Sequence, residues 1–308
     1  MFKTKKPLVL LLLLAVLLGA CNKLTPAPTD LPAEPGPAAE NTAAASPTPE
    51  IPPTATPEPA AAHVNGEPIP LAYYQGELQR YRASLDPAAA PNEADQEKAV
   101  MDALIDQQLM AQAARAAGFS LSDADLQSRI EDLVVKLQAS GIDLGGWMQN
   151  NFYDDASFRY GLRLAAEAAW QRDELIAAVP ETAEQVHVRQ IFFEKDQQSN
   201  AQTVLGLLNN GSDFDTLARR YNAETGGELG WFPRGYLSTY PIIEETAFAM
   251  HPGTFSDLIE TEIGYHILYL VESDPAHPLT TEARLVLQGK ALEDWLAAQR
   301  GSASISIP

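Results

Sequence analysis

One cysteine, Cys21, in a chain of 308 residues rules out an internal disulfide. Basic side chains are scarce: 21 Lys and Arg stand against 41 Asp and Glu, leaving a formal charge of −20. A surface of that sign repels phosphate backbones and excludes nucleic acid as a partner. The five histidines, His63, His187, His251, His266 and His277, share no ligand spacing, so neither a metal centre nor another cofactor is expected. Ser256 and Ser302 lack a nucleophile elbow, and Gly19, Gly66 and Gly118 belong to no phosphate-cradling loop. The apolar run Leu8 to Leu18 is too short to span a bilayer comfortably.

That short run has a different meaning. Lys3, Lys5 and Lys6 precede it as a cationic segment and small residues close it, the pattern of a signal peptide over residues 1–20. Loss of those three lysines would take the formal charge from −20 to −23. Leu18-Gly19-Ala20-Cys21 resembles the lipobox of bacterial lipoproteins, which implies lipidation of Cys21, an acylated new N-terminus and an extracytoplasmic, membrane-anchored address. More than one acyl chain is needed for stable anchoring. The alternative is an ordinary secretory signal with a chance cysteine.

Residues 21–63 follow as a Pro-, Ala- and Thr-rich stretch with eleven prolines from Pro26 to Pro59 and no aromatic side chain, a composition that cannot bury a core and reads as a disordered tether. In extended polyproline form, at ~3.1 Å per residue, it would reach roughly 100 Å.

Order is expected from Val64, with Asn65-Gly66 as a tight hairpin turn. Residues 64–180 read as an all-helical domain. Leu71, Tyr74, Leu78 and Tyr81 keep helical spacing up to Asp86-Pro87. Val100, Leu104, Ile105 and Leu109 mark a second helix from an Asn92 cap to Gly118. Leu126, Ile130 and Leu137 mark a third after a capping-box-like Ser122. Trp147 to Phe152 is a short helix, and Phe158 to Ile176 lines a long one that Pro180 stops. No catalytic cluster shows among them.

Over residues 185–273 the period switches to two. Strands are expected at Val186–Phe193, Leu229–Phe232, Phe255–Ile259 and Tyr265–Val271, with helices at Asn200–Leu208, Phe214–Tyr221 and Ile242–Met250, an α+β order of β-α-α-β-α-β-β. A final helix at 280–300 carries an apolar stripe that needs a partner, for which the helical domain is the expected one; residues 301–308 read as a tail.

Within 185–273, Gly226-Gly227-Glu228-Leu229-Gly230-Trp231-Phe232, Arg234-Gly235, Ala247-Phe248-Ala249, Pro252-Gly253, Ser256 and Gly264-Tyr265-His266-Ile267 together resemble the parvulin family of peptidyl-prolyl cis/trans isomerases. The helices before them, the Val64-Asn65-Gly66 start and the helix after them look like the chaperone domain of SurA- and PrsA-type extracytoplasmic foldases. The resemblance implies Leu229, Leu237, Ile243 and Phe248 in or near a proline pocket, His266 as the last-strand histidine and Thr261 as its hydroxyl support. It puts Gln190 where the family usually carries a first-strand histidine and Glu224 at its acidic position. For Phe248 a plain core role stands beside direct proline contact, for His266 the role of a satisfied structural histidine, and for Glu224 that of a solvated loop carboxylate.

The resemblance therefore implies a peptidyl-prolyl isomerase and folding chaperone whose partners are unfolded, proline-containing secreted chains. A binding-only holdase is the rival, favoured by Gln190. A solute-binding lipoprotein ranks last, since the α+β unit is small and a second lobe is missing.

Overall fold

The computed structural model describes residues 59–308. The expected signal peptide, Cys21 and most of the tether lie outside the described residues. Two compact units are present. One holds the described residues up to Gln108, Ser120–Glu167 and Ser304–Pro308; the other holds Leu109–Phe119 and Ala168–Ala303.

The first unit opens with a hairpin of β1 (Ala60–Val64) and β2 (Glu67–Pro70), turned by Asn65 at φ 51° and Gly66 at φ 83°. Positive φ at both central residues gives the turn the twist that flanking strands need. On its other edge β1 pairs with β7 (Ile305–Ser306), and Asn65 N–H donates to Ser304 O at 2.8 Å. Two expectations are corrected here. The tether ends at Pro59, because Ala60–His63 are strand with Ala61 and Ala62 buried, and the tail contributes a strand. The domain is accordingly not all-helical: it is helical with a three-stranded sheet of order β2-β1-β7. Alanines read locally as linker, and the strand that pairs with them lies at the far end of the chain.

Helices follow where apolar spacing put them: α1 (Leu71–Ser84), α2 (Glu93–Ala116), α3 (Asp123–Ala139), α4 (Leu144–Asn150) and α5 (Asp155–Ala177). Asn92 caps α2 by accepting from Asp95 N–H, and Ser122 caps α3 by accepting from Asp125 N–H. Leu121, Leu126, Ile130, Phe158 and Leu162 form the core of α3 and α5, each buried side chain contributing about 1.5–3 kcal/mol. Phe152, expected in the short helix, stands outside α4 at φ 58°. Arg80 of α1, paired with Glu77 at 2.6 Å and 3.6 Å from the Tyr153 ring centroid, fixes the segment that leads into α5.

In the second unit the element order is β3 (Thr182–Glu194), a 3-10 turn, α6 (Gln198–Asn209), α7 (Phe214–Tyr221), β4 (Glu228–Pro233), α8 (Pro241–Ala249), β5 (Ile259–Glu260) and β6 (Gly264–Pro278), the β-α-α-β-α-β-β succession that the sequence suggests. The sheet order is β4-β3-β6-β5, all antiparallel. β3 and β6 are central and pair from Thr182↔Pro278 to Glu194↔Gly264. Alternation along them divides the core. Ile191, Phe193, Tyr265 and Ile267 pack under α6 and α7, while Val186, Val188, Leu268 and Leu270 pack under α8 with Phe232, Ile243 and Ala247.

Two differences from expectation lie here. Phe255–Ile259 is not a continuous strand: Phe255 makes one isolated bridge to Tyr269 and β5 is two residues long. The helix α9 (Thr281–Ser302), expected against the helical domain, lies in the unit that holds both the sheet and the end of α5, and it touches each. There Gln288 donates to Ile176 O at 3.3 Å, Arg284 donates to Val179 O at 3.4 Å, and Leu287 and Lys290 lie over Gly235.

Candidate active site

The α8 face of the sheet carries the polar centre. Register places His266 of β6 opposite Phe192 of β3, and Gln190 lies two residues back on the same face, so all three side chains are neighbours. His266 Nδ1 is 2.9 Å from Gln190 Oε1, and its Nε2 is 2.9 Å from Thr261 Oγ1. With the glutamine oxygen as acceptor, Nδ1 carries the proton and Nε2 is left as an acceptor facing the Thr261 hydroxyl, whose single proton has a second acceptor in Gly264 O at 3.2 Å. Thr261 is held beside it by its own N–H, which donates to Gly264 O at 2.8 Å. The histidine is 4% exposed, and burial lowers its pKa to about 4. At neutral pH it is therefore an uncharged ring in one tautomer, with the Phe192 ring centroid 4.9 Å away.

Around this centre Leu229, Leu237 and Phe248 are half-buried and pack on the sheet core. Phe248 meets Phe232 edge-on at 6.2 Å, and the Arg234 guanidinium lies 4.0 Å from its ring centroid. Ile243, expected in or near the pocket, is 4% exposed and belongs to the sheet core against which Leu229, Leu237 and Phe248 pack. Leu237 is positioned by Glu244, whose carboxylate accepts from Gly235 N–H at 2.6 Å and Leu237 N–H at 3.0 Å. An open groove of about 440 Å³ reaches Thr261, bounded by Lys195, Tyr240, Pro241, Ile242 and Glu260.

The Gly226-Gly227 pair closes a loop on the same strand. Gln190 N–H donates to Gly227 O at 2.7 Å, and a Cβ at Gly227 would lie 2.2 Å from Gln190 O. Only glycine allows that approach at φ 79°. Gly264 is equally confined, since a Cβ there would lie 2.0 Å from Phe193 O.

Gln190, Thr261 and His266 are thus brought together. Glu224 is not: it is exposed, and no hydrogen bond joins it to the histidine. Three neighbours escaped the sequence reading. Phe192 was readable as a strand residue but not as His266's partner, because register is a pairing property. Glu244 and Asn222, whose carboxamide bonds both the N–H and the C=O of Phe192 at 2.9 and 3.3 Å, carry no local signal beyond their positions on and after helices.

Comparison with known proteins gives the family. Residues 192–272 match the PPIC-type PPIASE domain model, and residues 54–155 match the SurA-like N-terminal domain model. The peptidyl-prolyl cis-trans isomerase PIN4 of Gibberella zeae is 38% identical over 93 residues, which cover 28% of this chain and 67% of that protein. The chain belongs to the PPIC-type isomerase family.

Other members are similar to it over smaller shares of their length. The chaperone SurA of Methylobacillus flagellatus is 28% identical over 145 residues, 41% of this chain and 33% of that one. The foldase protein PrsA of Geobacillus kaustophilus is 35% identical over 85 residues, 26% of this chain and 29% of that one. The chain thus spans about a third of these two relatives. Among solved structures, PrsA of Bacillus cereus aligns with a TM-score of 0.40 and 18% identity over 70% of this chain and 84% of that one.

Proposed function

We propose that this chain is a peptidyl-prolyl cis/trans isomerase and folding chaperone for secreted or envelope proteins. The observation that carries the reading is a buried, uncharged His266 fixed between Gln190 and Thr261 on the same sheet face as half-exposed Leu229, Leu237 and Phe248. Rotation about an X-Pro bond crosses a barrier of ~18–20 kcal/mol because amide resonance is lost, and no bond to another atom forms. A site lowers that barrier by holding the twisted amide better than the planar one. Leu229, Leu237 and Phe248 grip the proline ring in a dry surface where the rotated carbonyl loses its water. The His266, Gln190 and Thr261 set supplies a fixed, neutral polar floor. Turnover by proton transfer from His266 is not part of the reading, since a ring with a pKa of about 4 holds no spare proton at neutral pH.

The two family-model matches support the division of labour in which the SurA-like segment holds unfolded client while the isomerase domain acts on its prolines. The signal-peptide pattern of residues 1–20, the lipobox-like Leu18 to Cys21 and the proline-rich stretch after it support an extracytoplasmic address on a lipid anchor. A protease-coupled assay with a short proline peptide tests the enzymatic half; no acceleration above the uncatalysed rate at micromolar protein refutes it.

A second reading, a holdase that keeps the fold for binding alone, is favoured by Gln190 at the position where the resemblance calls for histidine. Suppressed aggregation of an unfolded client, together with isomerase activity that rises from near zero only in Gln190→His, would establish it.

A further inference from the structure

We infer that Asn222 is a positioning residue of the isomerase site: it stands in for a missing strand residue and fixes the backbone on which Gln190 and Phe192 meet His266. The inference rests on the proposed isomerase reading for its kinetic consequence, though not for its structural one. The pairing of β3 with β4 ends at Arg189↔Glu228, and Gln190 N–H is taken by Gly227 O. The next groups of β3 on that edge are the N–H and C=O of Phe192, which β4 does not reach. Backbone groups partly withdrawn from water, as these are, need partners. Asn222 supplies both: its Oδ1 accepts from Phe192 N–H at 2.9 Å and its Nδ2 donates to Phe192 O at 3.3 Å.

The anchor is itself fixed. Asn222 N–H donates to Ala218 O at 2.8 Å at the end of α7, and Asn222 O accepts from Gly226 N–H at 2.7 Å, closing the loop that leads into Gly227. One carboxamide therefore ties the end of α7 and the Gly226-Gly227 loop to the segment of β3 that faces His266. A carboxamide is the group required, since the two Phe192 atoms need an acceptor and a donor at once. Aspartate keeps the acceptor and sets a second negative oxygen against Phe192 O; serine is too short to span both atoms. If this edge slackens, Gln190 Oε1 draws away from Nδ1, and the histidine is free to protonate Nε2 and donate to Thr261 instead.

The test compares wild type with Asn222→Ser, Asn222→Asp and Asn222→Ala in the full chain. Ring ¹⁵N shifts report the His266 tautomer, kcat and KM are measured separately on a proline peptide, and thermal melting monitors the fold. Expected are a wild-type ring protonated at Nδ1, a mixed tautomer in all three variants, and a kcat lowered about tenfold with KM within about twofold. Asn222→Asp should be the mildest, since it keeps the acceptor for Phe192 N–H. Variants that melt earlier while the ring shifts and kcat stay at wild-type values would overturn the inference and leave Asn222 a purely structural residue. If wild type shows no isomerase activity the functional reading fails, and the ring shifts of the variants still decide the role of Asn222. Asn222→Ser and Asn222→Asp keep the test open should Asn222→Ala fail to fold.

Discussion

Lowering the pH from 7.5 to 4.5 should weaken the sheet unit through His266 in a way that can be worked from its surroundings. The ring is buried without a negative partner, and its pKa falls from 6.5 to about 4 on folding. Because the folded value is the lower one, the unfolded chain binds the proton first; the contribution to stability is complete above pH 6.5 and is lost as pH falls toward 4. At about 1.36 kcal/mol per pH unit the whole contribution is roughly 3.4 kcal/mol, of which about 2.5 kcal/mol disappears between pH 7.5 and 4.5. Many carboxylates titrate in the same interval, so the comparison must be differential. Urea unfolding of wild type and His266→Gln at both pH values isolates the histidine: the wild type should lose about 2.5 kcal/mol more than the variant. A direct ¹H titration of the ring should give a midpoint near 4. A midpoint near 6.5, or equal pH dependence in the two proteins, would refute the claim that His266 is held neutral by burial, and with it the uncharged floor of the proposed site.

Gly227→Ala should cost at least about 2 kcal/mol, since the new methyl meets Gln190 O at 2.2 Å and the backbone stays at positive φ; a melting curve measures it, and isomerase activity should fall with it. Ile243→Ala should destabilise by about 2–5 kcal/mol as a buried truncation, whereas half-exposed Leu237→Ala should cost about 1 kcal/mol and act chiefly on KM; paired denaturation and kinetics distinguish them. Glu244→Ala frees the two loop N–H groups that hold Leu237, so KM should rise several-fold with kcat changed less, read from initial rates. Cys21→Ser should move the protein from the membrane to the soluble fraction on cell fractionation if the anchor is the lipidated cysteine.

Much of this fold was legible because its signals are local. Ser122 and Asn92 mark helix starts through bonds made within three residues, Asn65-Gly66 sets its own turn, and the period-two run of β3 announces a strand from its own side chains. The Gly226-to-Phe232 and Gly264-to-Ile267 motifs carried the family, and with it the pairing of His266, Thr261 and Gln190. Features made by distant pairing were not legible. Ala60–Val64 looks like linker until β7, more than 200 positions later, supplies its partner. Glu224 satisfied the expected position in the chain and yet points to solvent, because a loop's length does not state where its carboxylate ends.

By itself the sequence determined the isomerase domain, its strand and helix order, the apolar surface around Phe248 and the identity of the residue at the first-strand position. Only the tertiary structure decided that His266 is neutral, since a pKa follows from burial and from the partners that folding brings within hydrogen-bond distance. It also decided that Ile243 is core, that α9 lies against both the end of α5 and Gly235, and that Asn222, thirty residues from Phe192, completes the edge of the strand on which the site is built. These are consequences of register and burial, which no single stretch of chain contains.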